Sequence, residues 1–190
     1  MAGIGHNNGP TMEKGQAMRA YQWRQAQAAL MPKALPLMVV KMRVRRAAEL
    51  GMDYKTYASI RQYSGSDIVG LLFSSNALRI IGNGARMPEA EAQALNAVRS
   101  AQKLALIHLP NRPEPVALMN PVLDATAAAP RFTDSWATMR DRLEGFIRAR
   151  SLPGSRVVII GDAPLEADWV TAARAAGYLP SDRYFPHQAG

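Results

Sequence analysis

The chain has 190 residues, with 23 Lys and Arg against 15 Asp and Glu for a net charge of +8, no cysteine, and 48% hydrophobic against 20% charged residues. Without cysteine there is neither a disulfide nor a thiolate metal site. The apolar fraction is that of a folded protein, and no apolar run approaches the ~20 residues of a membrane helix, so a soluble, cytoplasmic protein is expected.

The charge is unevenly spread. Residues 1–63 carry 10 basic and 3 acidic side chains, and residues 64–190 carry 13 and 12. A basic front joined to a nearly neutral, apolar remainder predicts three parts: a tail (1–11), a basic helical region (12–63) and an α/β domain (64–190). The expected partner of the basic region is nucleic acid or another polyanion. A homodimer, a protein partner or a place as a subunit of a larger assembly is compatible with the same charge.

The tail MAGIGHNNGPT is rich in Gly and Asn and holds no buried face. Its GIGHNNGP string is similar to a short leader of phage-type and DNA-associated proteins of alphaproteobacteria. From Met12 to Met31, apolar residues recur at helical spacing, predicting a helix ended by Pro32. Pro36 permits a new helix, in which Leu37, Val40, Val44, Ala47 and Ala48 share one stripe while Lys41, Arg43, Arg45 and Arg46 fan around the other side. The stretch from Val40 to Arg45 also alternates strictly, so a strand is the alternative.

Arg46 to Arg61 (RAAELGMDYKTYASIR) resembles a helix-turn-helix unit. Gly51 serves the turn and Asp53 caps the second helix, with Tyr54, Lys55, Thr56 and Ser59 facing outward where a recognition helix meets base edges. With a strand at Val40–Arg45 the same region is similar to a ribbon-helix-helix module. Either resemblance implies nucleic-acid contacts from Lys41, Arg43, Arg45, Arg46, Lys55, Arg61 and Tyr54.

After the turn cluster Ser64-Gly65-Ser66-Asp67, strands alternate with helices. Expected strands are Ile68–Phe73, Ala77–Ile81, Leu104–Leu109, a short edge strand at Val116–Met119, and Val157–Ile160. Expected helices are Pro88–Gln102, Thr133–Arg150 with Thr133 as N-cap, and Pro164–Ala176 capped by Gly177. The alternation implies an α/β fold, a small and mostly parallel sheet flanked by helices. Gly82-Asn83-Gly84 reads as a turn, because the remaining glycine and acid of a dinucleotide loop are lacking.

The string VVIIGDAPLEAD (Val157 to Asp168) resembles the last acidic motif of the haloacid dehalogenase-like hydrolases. That resemblance implies Mg²⁺ held by Asp162 and Asp168, with Glu166 as the other acid, and a phosphoryl-binding hydroxyl from Ser74 or Ser75 in LLFSSN. If the two strands are neighbours, Ser74, Ser75, Asn76 and Asp162 meet at the carboxyl edge of the sheet, where open α/β folds bind ligands. The family's nucleophile, an aspartate directly after an apolar strand with a second two residues on, has no counterpart, so no acyl-phosphate can form. The expectation is a non-enzymatic nucleic-acid-binding accessory protein without a cofactor. The alternative is a haloacid dehalogenase-like or other phosphate-ligand-binding α/β protein or enzyme that uses the sheet edge near Ser74 and Asp162, with Mg²⁺ as its cofactor. His6, His108 and His187 have no metal-ligand spacing, and His108 is expected to be a hydrogen-bonded structural residue.

Overall fold

The computed structural model describes residues 35–82 and 86–185. The tail, the helix expected over Met12–Met31, most of the Gly82–Gly84 turn, His6 and His187 lie outside the described residues. The chain divides into two compact units, Met1–Val39 and Val40–Gly190. Of the first, the described part is Leu35-Pro36 followed by the opening turn of helix α1 (Leu37–Glu49). Every strand among the described residues belongs to the second.

That second unit is an α/β fold. Its elements after α1 are α2 (Tyr54–Ser64), β1 (Gly70–Ser74), α3 (Glu89–Ala97), β2 (Gln102–Ile107), α4 (Pro113–Met119) and β3 (Ala125–Ala128). They continue as α5 (Trp136–Ala149), β4 (Val157–Gly161), α6 (Trp169–Ala173), β5 (Gly177–Pro180) and α7 (Ser181–Tyr184), with short 3₁₀ turns at Gly154–Arg156 and Pro164–Asp168. The five strands form one parallel sheet in the order β3-β2-β1-β4-β5. No helix among the described residues is long and apolar enough to cross a membrane.

The sheet is buried on both faces, which is why β1 and β4 read as unbroken apolar runs. The period of two sorts their side chains between two cores. Leu71, Phe73, Ala105, Ile107, Val158 and Ile160 point to one, shared with Ala47 of α1, Leu50 in the turn after it, Tyr57 of α2, Leu95 of α3 and Val116 of α4. Leu72, Leu104, Leu106, Val157 and Ile159 point to the other, shared with Leu143 and Ile147 of α5 and with Trp169, Ala172 and Ala173 of α6. The chain builds outward from β1 to β3 with helices on one face, then returns to lay β4 on the other side of β1 with helices on the opposite face. β1 and β4 therefore flank the point where the winding reverses.

Several local expectations are corrected. Val40–Arg45 is helical: it lies within α1, whose Ala47 is buried in the core. Ala77–Ile81 is a turn, not a strand. The Ser74 hydroxyl accepts the Ala77 N–H, and the N–H groups of Leu78 and Ile80 return to the carbonyls of Ser74 and Ser75; Ala77, Leu78 and Ile80 are buried in the turn, whereas Ile81 is exposed. Val116–Met119 is the end of a helix that Pro113 opens at its first turn. Ser135, not Thr133, caps α5, accepting from Thr138 N–H at 3.2 Å. The helix expected over Pro164–Ala176 is a 3₁₀ turn followed by α6. Arg174 stops α6 in the left-handed region (φ 50°), and the Ala176 N–H reaches the Val157 carbonyl, so Gly177 begins β5 instead of capping a helix. Strand β3, Ala-Thr-Ala-Ala, has no counterpart among the expected elements; pairing with Leu104 to Ile107 makes it a strand.

Candidate functional site

Because β1 and β4 are neighbours, Ser74, Ser75, Asn76 and Asp162 do emerge together at the carboxyl edge. The Asn76 and Ser74 side chains and the backbone N–H of Asp162 meet a residue from the next turn, Glu166. Gly161 ends β4 without a side chain; a Cβ there would sit 2.6 Å from Glu166 Oε2 and 2.7 Å from the Tyr178 ring. Into that space the 3₁₀ turn folds Glu166 back, so that its Oε2 accepts the N–H groups of Asp162 (2.7 Å) and Ala163 (3.2 Å). Oε1 accepts from Asn76 Nδ2 at 2.8 Å and from His108 Nε2 at 2.9 Å. The carboxylate is 1% exposed. Burial by itself pushes its pKa up, but hydrogen bonds from His108, the Asp162 N–H, Ser74 and the Ala163 N–H outweigh that and hold it below the ordinary 4.5.

His108 follows β2 directly. Its N–H is held by Ser75 Oγ (3.1 Å), and its ring stacks on Trp169 with centroids 5.6 Å apart and planes 25° apart. Ser74 and Ser75 are fully buried, and their hydroxyls are committed to backbone N–H groups. They fix the loop instead of facing solvent. LLFSSN runs from β1 into the loop that follows it. Asp162 is exposed and accepts from Ser181 Oγ at 2.7 Å. Asp168 is exposed at the start of α6 with no capping bond. Among the described residues, no three His, Asp or Glu side chains are grouped to hold a metal ion.

Beside this cluster opens a cavity of about 830 Å³ between the ends of β2, β3 and β4, lined by the loops after those strands and by α5. Leu109, Phe132, Met139, Leu165 and Trp169 give it an apolar wall, with His108 and Glu166 at its base. Of its arginines, Arg142 pairs with Asp134 at 3.5 Å, whereas the guanidinium groups of Arg112 and Arg131 have no carboxylate partner among the described residues. Glu114 and Asp168 add exposed acids to the lining. Phe132 is 89% exposed, a large apolar surface for an unpartnered side chain.

The basic residues of α1 and α2 separate into two groups. Arg46 is 14% exposed: Nε bonds Asp67 Oδ2 at 3.1 Å, and its other nitrogens reach Glu49 and the carbonyls of Ile68, Arg99 and Ser100. Arg61 joins the same cluster through Asp67 (3.2 Å) and the Tyr57 hydroxyl (3.0 Å), and Arg45 pairs with Glu49. The Tyr57 hydroxyl also donates to Asp67 at 2.7 Å, so the bulky aromatic fits the hairpin by taking a polar partner inside. Lys41, Arg43 and Lys55 have no carboxylate partner among the described residues. Asp53 caps α2 as expected, accepting from the Thr56 N–H at 2.9 Å, and Gly51 takes its positive φ of 70°. Tyr54 is half-buried and Lys55 exposed, but Thr56, expected to face outward, is buried at 8%.

Asp162, Ser74 and Asn76 thus share one edge, as their strands imply. His108 stands there too, hydrogen-bonded to Glu166 and Ser75, and Arg112, Arg131, Phe132 and Trp169 join the site without any motif to mark them. For His108 the signal in the sequence is position, since it directly follows an apolar parallel strand, and such strand ends point at the ligand crevice. No protein-family model, curated protein or solved structure matches the chain.

Proposed function

We propose that this is a small-ligand-binding α/β protein whose cavity takes a phosphorylated ring compound of the nucleotide class. The observation that carries the reading is the cavity itself, where two guanidinium groups without carboxylate partners among the described residues stand beside an apolar, aromatic wall at the carboxyl edge of a parallel sheet. Its volume lies within the range of small-molecule sites, and its place near the reversal of winding is where such sheets bind ligands. Arg112 and Arg131 supply the forked donors that suit phosphate oxygens. Phe132, 89% exposed, offers a face for a planar ring, and Asp168 and Glu114 accept from its amino groups.

The test is thermal unfolding with adenosine, pyrophosphate and adenosine monophosphate. The monophosphate should raise Tm saturably and more than either fragment, because a ligand that binds only the folded state stabilises it. Arg112→Ala with Arg131→Ala should remove the advantage of the phosphate. No shift with any of the three would overturn the reading.

A second reading, a polyanion-binding front, is favoured by Lys41, Arg43 and Lys55, whose charges have no carboxylate partner among the described residues, and by the surplus of positive charge in residues 1–63. Substituting all three by Ala should leave Tm within about a degree, as for surface changes, and shift elution from heparin to lower salt. Arg46→Ala should instead cost about 2–4 kcal/mol of stability, because it strips partners from Asp67 and three carbonyls. Unchanged heparin elution in the triple variant would remove this second reading.

A further inference from the structure

We propose that His108 is a proton-accepting base in this cavity, held for that task by Glu166. The inference rests on the cavity reading above and adds a chemical step to it. Glu166 receives hydrogen bonds from the N–H groups of Asp162 and Ala163, from Asn76 and from Ser74. A carboxylate surrounded by donors acts only as an acceptor, so the His108 Nε2 that faces it at 2.9 Å must carry a hydrogen. In neutral imidazole the other nitrogen, Nδ1, then keeps its lone pair.

Nδ1 has no protein partner among the described residues. The His108 side chain is 29% exposed while that of Glu166 is 2% exposed, and His108 lines the cavity. Trp169 stacked on one face and the Ser75 hydroxyl on the backbone N–H fix the ring in place. A positioned imidazole, a buried carboxylate behind it and an uncommitted nitrogen in a ligand-sized space are the parts of a general base.

The step is a proton transfer. An O–H or N–H bond of the bound phosphorylated ligand breaks, its electron pair stays on the ligand, and an N–H bond forms at Nδ1. The imidazolium that results is balanced by the Glu166 carboxylate, and no further reactant is consumed.

Two measurements on the full chain decide it. Nitrogen-15 NMR of the imidazole signals, with His108 assigned by His108→Gln, should show the Nε2–H tautomer with a bare Nδ1. Under mildly alkaline conditions diethyl pyrocarbonate should carbethoxylate His108, read by peptide mass spectrometry. Adenosine monophosphate at about ten times its Kd should slow that labelling about tenfold. A Glu166→Gln variant should lose the tautomer preference; if it does not fold, the wild-type spectrum decides alone.

An Nδ1–H tautomer, an unreactive His108 in the free protein, or labelling that continues at full rate under bound nucleotide overturns the base. If the nucleotide fails to bind, the cavity's ligand class is wrong, and the tautomer and free reactivity still judge His108.

Discussion

Glu166 shows how one side chain can set the chemistry of a loop. It sits at the third position of a 3₁₀ turn and bonds back to the N–H groups at the turn's start, a local capping arrangement. From there it reaches His108 and Asn76 on the loops after two other strands. Its folded pKa lies below the ordinary 4.5, so it contributes stability that is complete above that value and is lost as pH falls through the lower folded one. Asp53, through hydrogen bonds with Thr56, and Asp67, whose partners Tyr57 and Arg46 outweigh its burial, are also held low and add to the same acid limb. Urea midpoints measured against pH should therefore fall on acidification below pH 4.5 in the wild type, and fall less in Glu166→Gln. Superimposable acid limbs would contradict the role given to this carboxylate.

The secondary elements explain what the sequence could and could not reveal. β1, β2 and β4 were legible because strands covered on both faces must be apolar throughout, and LLFS and VVIIG have no polar interruption. α5 was legible from Leu143 and Ile147 at helical spacing. The edge strands were not. β3 is alanine and threonine, and β5 ends in proline; both owe their form to pairing with a stronger neighbour, which no local pattern records. The apolar Ala77–Ile80 stretch failed in the opposite sense, being buried without pairing. Of the site, the acids and serines at the strand ends could be read from the apolar runs before them. The cavity could not, because Arg112, Arg131 and Trp169 stand on three separate segments joined only by the fold. The end of β4 offers a sharp test of this arrangement. Gly161→Ala places a methyl 2.6 Å from Glu166 Oε2 and 2.7 Å from the Tyr178 ring, so the turn must move. The expected cost is about 1–3 kcal/mol, with a matching loss of the nucleotide-induced rise in Tm. Wild-type stability in that variant would show that the close approach of turn and strand is not required.

At the scale of the whole molecule, the fold joins a sheet sealed on both faces to an open carboxyl edge. Helices α1 and α2 and the turn between them, expected to form part of a separate basic region, contribute Ala47, Leu50 and Tyr57 to the same core as β1. Arg46 and Arg61 tie them to Asp67 at the entry to the sheet. The positive charge of the front is thus partly structural, and the cavity proposed as the ligand site lies elsewhere, around His108, Arg112 and Arg131. Isothermal titration of the intact chain with adenosine monophosphate decides between these surfaces. Saturable binding at one site per chain is expected, lost in Arg112→Ala with Arg131→Ala and retained in the Lys41, Arg43 and Lys55 alanine variant. Absence of binding, or binding that survives the loss of Arg112 and Arg131, would contradict the cavity as the protein's ligand site.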